Sequence, residues 1–205
     1  MGVTKMSGLR LSQERAVLFA CAVCLCAVLA SGCGDDKTKV EPIPEVPSRG
    51  TPNDLLEWYA EAIEQEDLGM YEEALHDYFI HEFPLIVADS LGLPSYEPWW
   101  GKTAEMASMA ALFQDSTVAE IEFEFTHATA WTPAQMSIGL DSLTTGILSR
   151  TDPVMRVRVQ ESGEEPKTLV FDKTYFDIFV VRDPKFPDQN LYVIARIEEV
   201  LKNPL

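Results

Sequence analysis

Between residues 118 and 127 the side chains alternate without a break: Ile121, Phe123, Phe125 and His127 share one phase, Glu120, Glu122, Glu124 and Thr126 the other. Strict period two over this length describes a strand with one dry face and one wet face. The rest of the chain must therefore cover the aromatic side, as layers of secondary structure do around a single core.

The segments before it are helical in pattern. Thr51-Pro52-Asn53-Asp54 offers an N-cap hydroxyl, a proline at the first helical position and a carboxylate three residues past the cap. The spacing of Leu55, Tyr59 and Ile63, with Leu56 and Ala60 beside them, predicts a helix over 52–66 that Gly69 stops. Tyr71, Leu75 and Phe79, at steps of four, predict a second helix over 71–78. At Phe79 the period changes, and Phe79, His81 and Phe83 alternate with Ile80 and Glu82 up to Pro84, which predicts a short strand. A loop follows, with Gly92, Pro94 and Pro98. After Trp99-Trp100-Gly101, the positions of Met106, Met109, Ala110 and Phe113 predict a third amphipathic helix ending near Asp115.

The segments after it are strands. Residues 128–153 form a long connection without clear pattern, containing Trp131 and Pro133. A strand over 154–160 puts Met155, Val157 and Val159 inward and Arg156 and Arg158 outward, where the arginines can face the glutamates of the alternating strand. The run 168–181 is apolar in both phases, as in a central strand covered on both sides. A last strand is expected over 191–198.

The first 32 residues read as a leader. Lys5, Arg10 and Arg15 precede an unbroken apolar run over 16–30, too short to span a bilayer comfortably. Leu29-Ala30-Ser31-Gly32-Cys33 then resembles the lipobox of bacterial lipoproteins, which implies cleavage before Cys33 and acylation of its thiol, palmitate included. Residues 33–50, with Pro42, Pro44 and Pro47, read as an extended tether; at about 3.1 Å per residue it would hold a domain on the order of 50 Å from the bilayer. Residues 51–205 are the single folded domain. Cys21, Cys24 and Cys26 all lie in the leader, so that domain has no thiol for a disulfide, a zinc site or a nucleophile. The full chain has 33 acidic and 16 basic residues, and taking away Lys5, Arg10, Arg15 and Glu14 of the leader leaves 32 against 13, a surface that repels phosphate backbones and anionic headgroups. Nucleic acid is therefore not an expected partner, and contact with the membrane falls to the lipid on Cys33. Gly34, not Asp, follows the cysteine, which by resemblance to enterobacterial sorting implies the outer membrane of the bacterial cell envelope, facing the periplasm.

The order helix, helix, short strand, Trp-initiated helix and long antiparallel strands resembles the nuclear-transport-factor-2-like, or ketosteroid-isomerase-like, superfamily, and within it small bacterial lipoproteins of unassigned function. The carrying stretches lie within 51–201: Leu55-Leu56-Glu57-Trp58-Tyr59, Tyr78-Phe79-Ile80-His81-Glu82-Phe83, Trp99-Trp100-Gly101-Lys102 through Leu112-Phe113, and Tyr192-Val193-Ile194-Ala195-Arg196-Ile197-Glu198-Glu199. The resemblance implies an α+β cone, a curved antiparallel sheet wrapped around the N-terminal helices, with a pocket at the open end. It does not fix a function, since members range from isomerases and dehydratases to ligand carriers and interaction modules.

Neither the isomerase set of an interior carboxylate base with oxyanion donors nor the dehydratase set of paired histidines can be placed on this chain. His127 continues the Ile121, Phe123, Phe125 face, and an imidazole among aromatics could act as a general base. The competing reading is a strand-end histidine bonded to backbone or water. Asp172 and Asp177 interrupt the most apolar strand in opposite phases, so at most one faces the cone as an acid or base; the other reading puts them at the rim or in ion pairs. Tyr59, Tyr78, Trp99, Phe123, Phe125 and His127 are the expected pocket lining. His81, between Phe79 and Phe83 but at an element edge before Pro84, carries less weight. His76 and His81, five apart, make a poor metal pair, and neither metal nor cofactor is expected. Two functions remain: a non-catalytic module binding a small apolar ligand or a protein, or a lyase or isomerase using His127 and a carboxylate on a small apolar substrate. The doubly apolar strand permits a homodimer through the sheet.

Overall fold

A computed structural model describes residues 48–138 and 143–203. The expected leader, Cys33 and the tether up to residue 47 lie outside the described residues. Thr51 opens the first helix as its sequence predicts: its hydroxyl accepts the Asp54 N–H at 3.2 Å, and the Asp54 carboxylate accepts the Thr51 N–H at 3.0 Å. This reciprocal cap satisfies two donors that a helix start otherwise leaves orphaned. Helix α1 (Pro52–Glu64) buries Leu55, Leu56, Tyr59, Ala62 and Ile63. Helix α2 (Leu68–Ala74) is locked to it where the Trp58 indole N–H donates to the Met70 carbonyl at 2.9 Å.

The second helix stops earlier than its spacing suggests. At Leu75 the backbone turns extended and continues as β1 (Leu75–Glu82). Tyr71, Leu75 and Phe79 are all buried, but β1 pairs in parallel with β8 (Tyr192–Leu201), and that ladder overrides the local helical spacing. The short helix α3 (Leu85–Ser90) occupies part of the expected loop, Trp99–Gly101 forms the edge strand β2 on β1, and Lys102–Phe113 is α4.

The sheet carries the order β2-β1-β8-β7-β5-β3 and curls around the helices as a half-barrel. Strand β3 (Val118–Ala128) meets β5 (Leu143–Val159) with Glu120 opposite Arg158 and Glu122 opposite Arg156. Arg158 reaches Glu120 at 3.2 Å and Arg156 reaches Glu124 at 3.0 Å. These pairs are exposed, so each contributes at most about 1 kcal/mol and serves mainly to set register. The unpatterned connection resolves into a hairpin of β4 (Thr132–Ser137) with the first half of β5, obscured in sequence by Pro133 and Gly146. Gly146 is needed there because a Cβ on it would sit 2.3 Å from the Val180 carbonyl, where β5 presses on β7.

The doubly apolar run divides in two at Asp172-Lys173. Strand β7 (Thr174–Arg182), between β5 and β8, is covered on both faces as expected: Ile178 and Val180 enter the main core under the helices, while Phe179 and Val181 join Ile138, Val193 and Ala195 in a second cluster beneath the β4 hairpin. Strand β6 (Lys167–Phe171) is not covered. It pairs only with β5, leaving Leu169, Val170 and Phe171 about half exposed, because one bonded neighbour cannot bury an edge strand.

Just before α1, Arg49 is 5 % exposed. Its guanidinium donates to the Glu73 carbonyl at 2.6 Å, the Asp183 carboxylate at 3.0 Å and the Tyr192 carbonyl at 3.2 Å. None of the helices among the described residues is long and apolar enough to cross a membrane.

Candidate functional site

The interior of the cone holds one connected set of polar side chains, drawn from α1, α2, β1, β2, α4 and β8. On β1, His81 shares the inward face with Phe79, so strand alternation delivers an imidazole to the core at 7 % exposure. Phe83 stacks on it at a centroid distance of 4.4 Å, and Phe79, Trp100 and Phe176 present edges around it. Glu105, in the first turn of α4 and 4 % exposed, accepts from His81 Nδ1 at 2.9 Å, from the Trp100 indole at 2.7 Å and from the Tyr71 hydroxyl at 2.5 Å. The second ring nitrogen of His81, Nε2, donates to Glu199 near the end of β8 at 3.1 Å. Since Tyr71 gives its proton to Glu105, the Tyr59 hydroxyl, 2.9 Å away, donates to Tyr71.

The charges follow from these contacts. Burial alone would lower the imidazole pKa of His81, but the bonds to Glu105 and Glu199 and the negative charge of both carboxylates outweigh it, and the value is pushed up to about 9. Burial alone would raise Glu105, yet the bond to His81, its positive charge and the Tyr71 and Trp100 donors hold that carboxyl below the ordinary glutamate range. Tyr59 and Tyr71 are both pushed up, first by burial and then by their charged or phenolic neighbours, so neither ionises near neutrality. The result is an imidazolium between two carboxylates, with both N–H groups engaged. It has no lone pair to accept a proton, and it pins α4 to β1 and β8.

The residues singled out by sequence fall in three places. Tyr59 and Phe123 are buried and Phe125 half-buried, packed ring to ring in the core. Tyr59 touches the polar set, while Phe125 lines a hollow of about 210 Å³ beside Leu56 and Ala60 of α1. His127 is exposed instead of facing the interior, because the β3–β5 register shifts between Phe125 and Ala128 and breaks the alternation that would have carried it inward. Asp172 sits at the turn between β6 and β7 beside Lys173 at 3.3 Å, and Asp177 is gripped by Arg150 through two bonds of 2.7 and 2.6 Å. Neither meets His127, so the three do not form a site. Tyr78 and Trp99, 63 % and 41 % exposed, lie outside the core. They wall a cleft of about 800 Å³ together with Ile80, Lys102, Ala104 and Ala107, between the β1–β2 edge and α4.

Glu105, Glu199, Tyr71 and Trp100 carried no signal as site residues. They are separated in sequence by up to 118 positions from the histidine they surround. The one available clue was His81 falling in phase between Phe79 and Phe83. Among the described residues no group of three His, Cys, Asp or Glu side chains is placed to hold a metal ion.

The described residues form an α+β domain in which a strongly curled sheet covers the helices as a half-barrel. No protein-family model matches the sequence, and no curated protein sequence matches it. Among solved structures it is similar to a putative scytalone dehydratase from Novosphingobium aromaticivorans, at 9 % identity over 74 % of this chain and 81 % of that one, with a TM-score of 0.48. It is also similar to a nuclear transport factor 2-like superfamily protein from Salmonella enterica, at 8 % identity over 74 % and 88 % of the two chains, with a TM-score of 0.42. A hexachlorocyclohexane dehydrochlorinase is similar at 8 % identity over 74 % and 82 %, with a TM-score of 0.44. Likeness at this level carries no reaction or ligand across.

Proposed function

We propose that the domain is a non-catalytic binding module of the bacterial envelope, held to the membrane through acylated Cys33, and that it binds at its outer cleft rather than inside its cone. The observation that carries this is His81: an imidazolium with Nδ1 on Glu105 and Nε2 on Glu199 is a structural cation, unable to serve as the general base that an isomerase or lyase would need. The rings of Phe79, Phe83, Trp100 and Phe176 surround it. By contrast, the cleft beside Tyr78 and Trp99 is open, mostly apolar and of the size that takes a small molecule or a short peptide segment.

Nitrogen-15 NMR of labelled imidazole tests the closed interior. His81 is expected to show both ring nitrogens protonated from pH 6 to 8, with a midpoint near 9. A neutral tautomer at pH 7 would instead supply a free base and return the lyase or isomerase reading to first place. The anchor has a separate test. Cells expressing the full chain and fed an alkyne analogue of palmitate should label it, and the Cys33→Ser form should be unlabelled; equal labelling of both would remove the anchor.

A further inference from the structure

Between β1 and β2 the chain makes an excursion over 84–97, closed at its base where the Phe83 N–H donates to the Pro98 carbonyl at 2.8 Å. Inside it, α3 ends in a Schellman cap. Gly92, at φ +72°, lets the Leu93 N–H reach back to the Ala88 carbonyl at 2.8 Å, while its own N–H donates to the Asp89 carbonyl at 3.0 Å. The Glu97 N–H donates to the Pro94 carbonyl at 2.9 Å, and the Ser90 hydroxyl to the Val87 carbonyl at 2.7 Å. The loop is therefore ordered by its own bonds, and α3 packs extensively on no other helix or strand. Of the side chains of α3 only Ala88 is buried. Leu85, Ile86, Leu91 and Tyr96 are 61, 55, 45 and 81 % exposed. A built loop that holds four large apolar side chains in water marks a contact surface.

We propose that this loop is a second membrane contact, which places Leu85, Ile86 and Leu91 in a zwitterionic bilayer surface with Tyr96 and Trp99 at the depth of the headgroups. The amides of Val87, Ala88, Leu91, Gly92, Leu93 and Glu97 are satisfied within the loop, so hydrocarbon, which offers no hydrogen-bond partners, leaves them paired. The composition is that of an interfacial anchor: aliphatic side chains, then aromatic ones with a polar edge, Tyr96 in the loop and the half-exposed Trp99 at its foot. Charge narrows the surface. Residues 83–101 carry Asp89 and Glu97 and no lysine, arginine or histidine, so anionic headgroups repel the loop, and so does a second copy of it. The proposal rests on the anchoring reading for which surface lies at hand. Arg49 is bonded beside the starts of β1 and β8, and the loop leaves the far end of β1, roughly 26 Å away for a strand of eight residues. A tether with a reach on the order of 50 Å lets the loop fold back onto the bilayer that holds Cys33. Two membrane signals then act together where one alone binds marginally. Contact at the loop brings the cleft beside Trp99 to the lipid surface.

A fragment of residues 48–205 carries every element and both core clusters described above, and it contains no cysteine. Its Ser95→Cys form therefore takes a single nitrobenzoxadiazole label in the loop, and its Ser162→Cys form one in the β5–β6 turn. With vesicles of dioleoylphosphatidylcholine, the Ser95 label is expected to brighten, shift to the blue and be quenched by spin labels on the acyl chains, while the Ser162 label stays unchanged. Leu85→Ser, Ile86→Ser and Leu91→Ser together should lower the partition coefficient at least about tenfold, with the circular dichroism spectrum retained. Replacing half of the lipid by dioleoylphosphatidylglycerol should weaken binding. A Ser95 label indifferent to phosphatidylcholine overturns the proposal, and so does binding that survives the three serine substitutions or appears only with phosphatidylglycerol. If the label ignores vesicles but a photo-crosslinking amino acid at position 91 of the full chain traps a protein or a second copy in cells, the loop is a protein interface and the lipid proposal fails. Because the fragment lacks Cys33, its failure to bind leaves the anchor standing on its palmitate test; a chain that takes no palmitate while the fragment binds keeps the loop and loses the anchor.

Discussion

Glu105→Ala is expected to destabilise the domain by about 3–5 kcal/mol, the cost of removing one partner from a buried, hydrogen-bonded ion pair. The change strips an acceptor from His81, Tyr71 and Trp100 at once and leaves an imidazolium in the core with only Glu199 beside it. Since a domain of this size is stable by only about 5–15 kcal/mol, the loss is a large share of the total. Urea denaturation followed by fluorescence measures it. Glu105→Gln separates shape from charge: it keeps the volume and one acceptor, should cost less, and should let His81 lose its proton at lower pH. An alanine form as stable as the parent would show that the cluster is not what joins α4 to the sheet.

Stability should also depend on pH in a way set by His81. Its folded value lies at about 9, above the ordinary 6.5, so its contribution is present in full below about pH 6.5 and is lost as pH rises through 9. Two and a half units correspond to about 3 kcal/mol, since one unit is about 1.4. Glu105 acts on the other flank. Its folded value is depressed, so its contribution is present above the ordinary glutamate range and disappears as pH falls through the folded value. The two describe one shared contact and do not add. Denaturation midpoints are expected to be highest between about pH 5 and 6.5 and to fall steeply towards 9.5, with the alkaline fall absent in His81→Phe. An alkaline fall of equal size in His81→Phe would assign it to other groups.

How much of this was legible in the sequence varied with the range of the interactions. The start of α1 was written in four consecutive residues, Thr51 to Asp54, whose caps need no tertiary context. Strand β3 was written in its alternation, and its partner in the matching arginines. Where a long-range ladder competed with a local pattern, the local reading lost: Leu75 to Tyr78 has helical spacing but pairs with β8 as a strand. His127 failed at the one place where alternation breaks, since a register shift leaves no trace in composition. Glu105 was hidden most thoroughly. It sits next to Met106 on an amphipathic helix, where a carboxylate ordinarily faces water, and only the fold shows the three donors that make its burial tolerable.

Arg49 has a mechanical consequence. A force applied to the chain ahead of Ser48 does not first peel α1 from the core, because the guanidinium passes the load to the end of α2, to the β7–β8 turn and to β8 in the middle of the sheet. Those contacts must rupture together rather than one after another. A domain strung this way resists being unravelled from its N-terminal end.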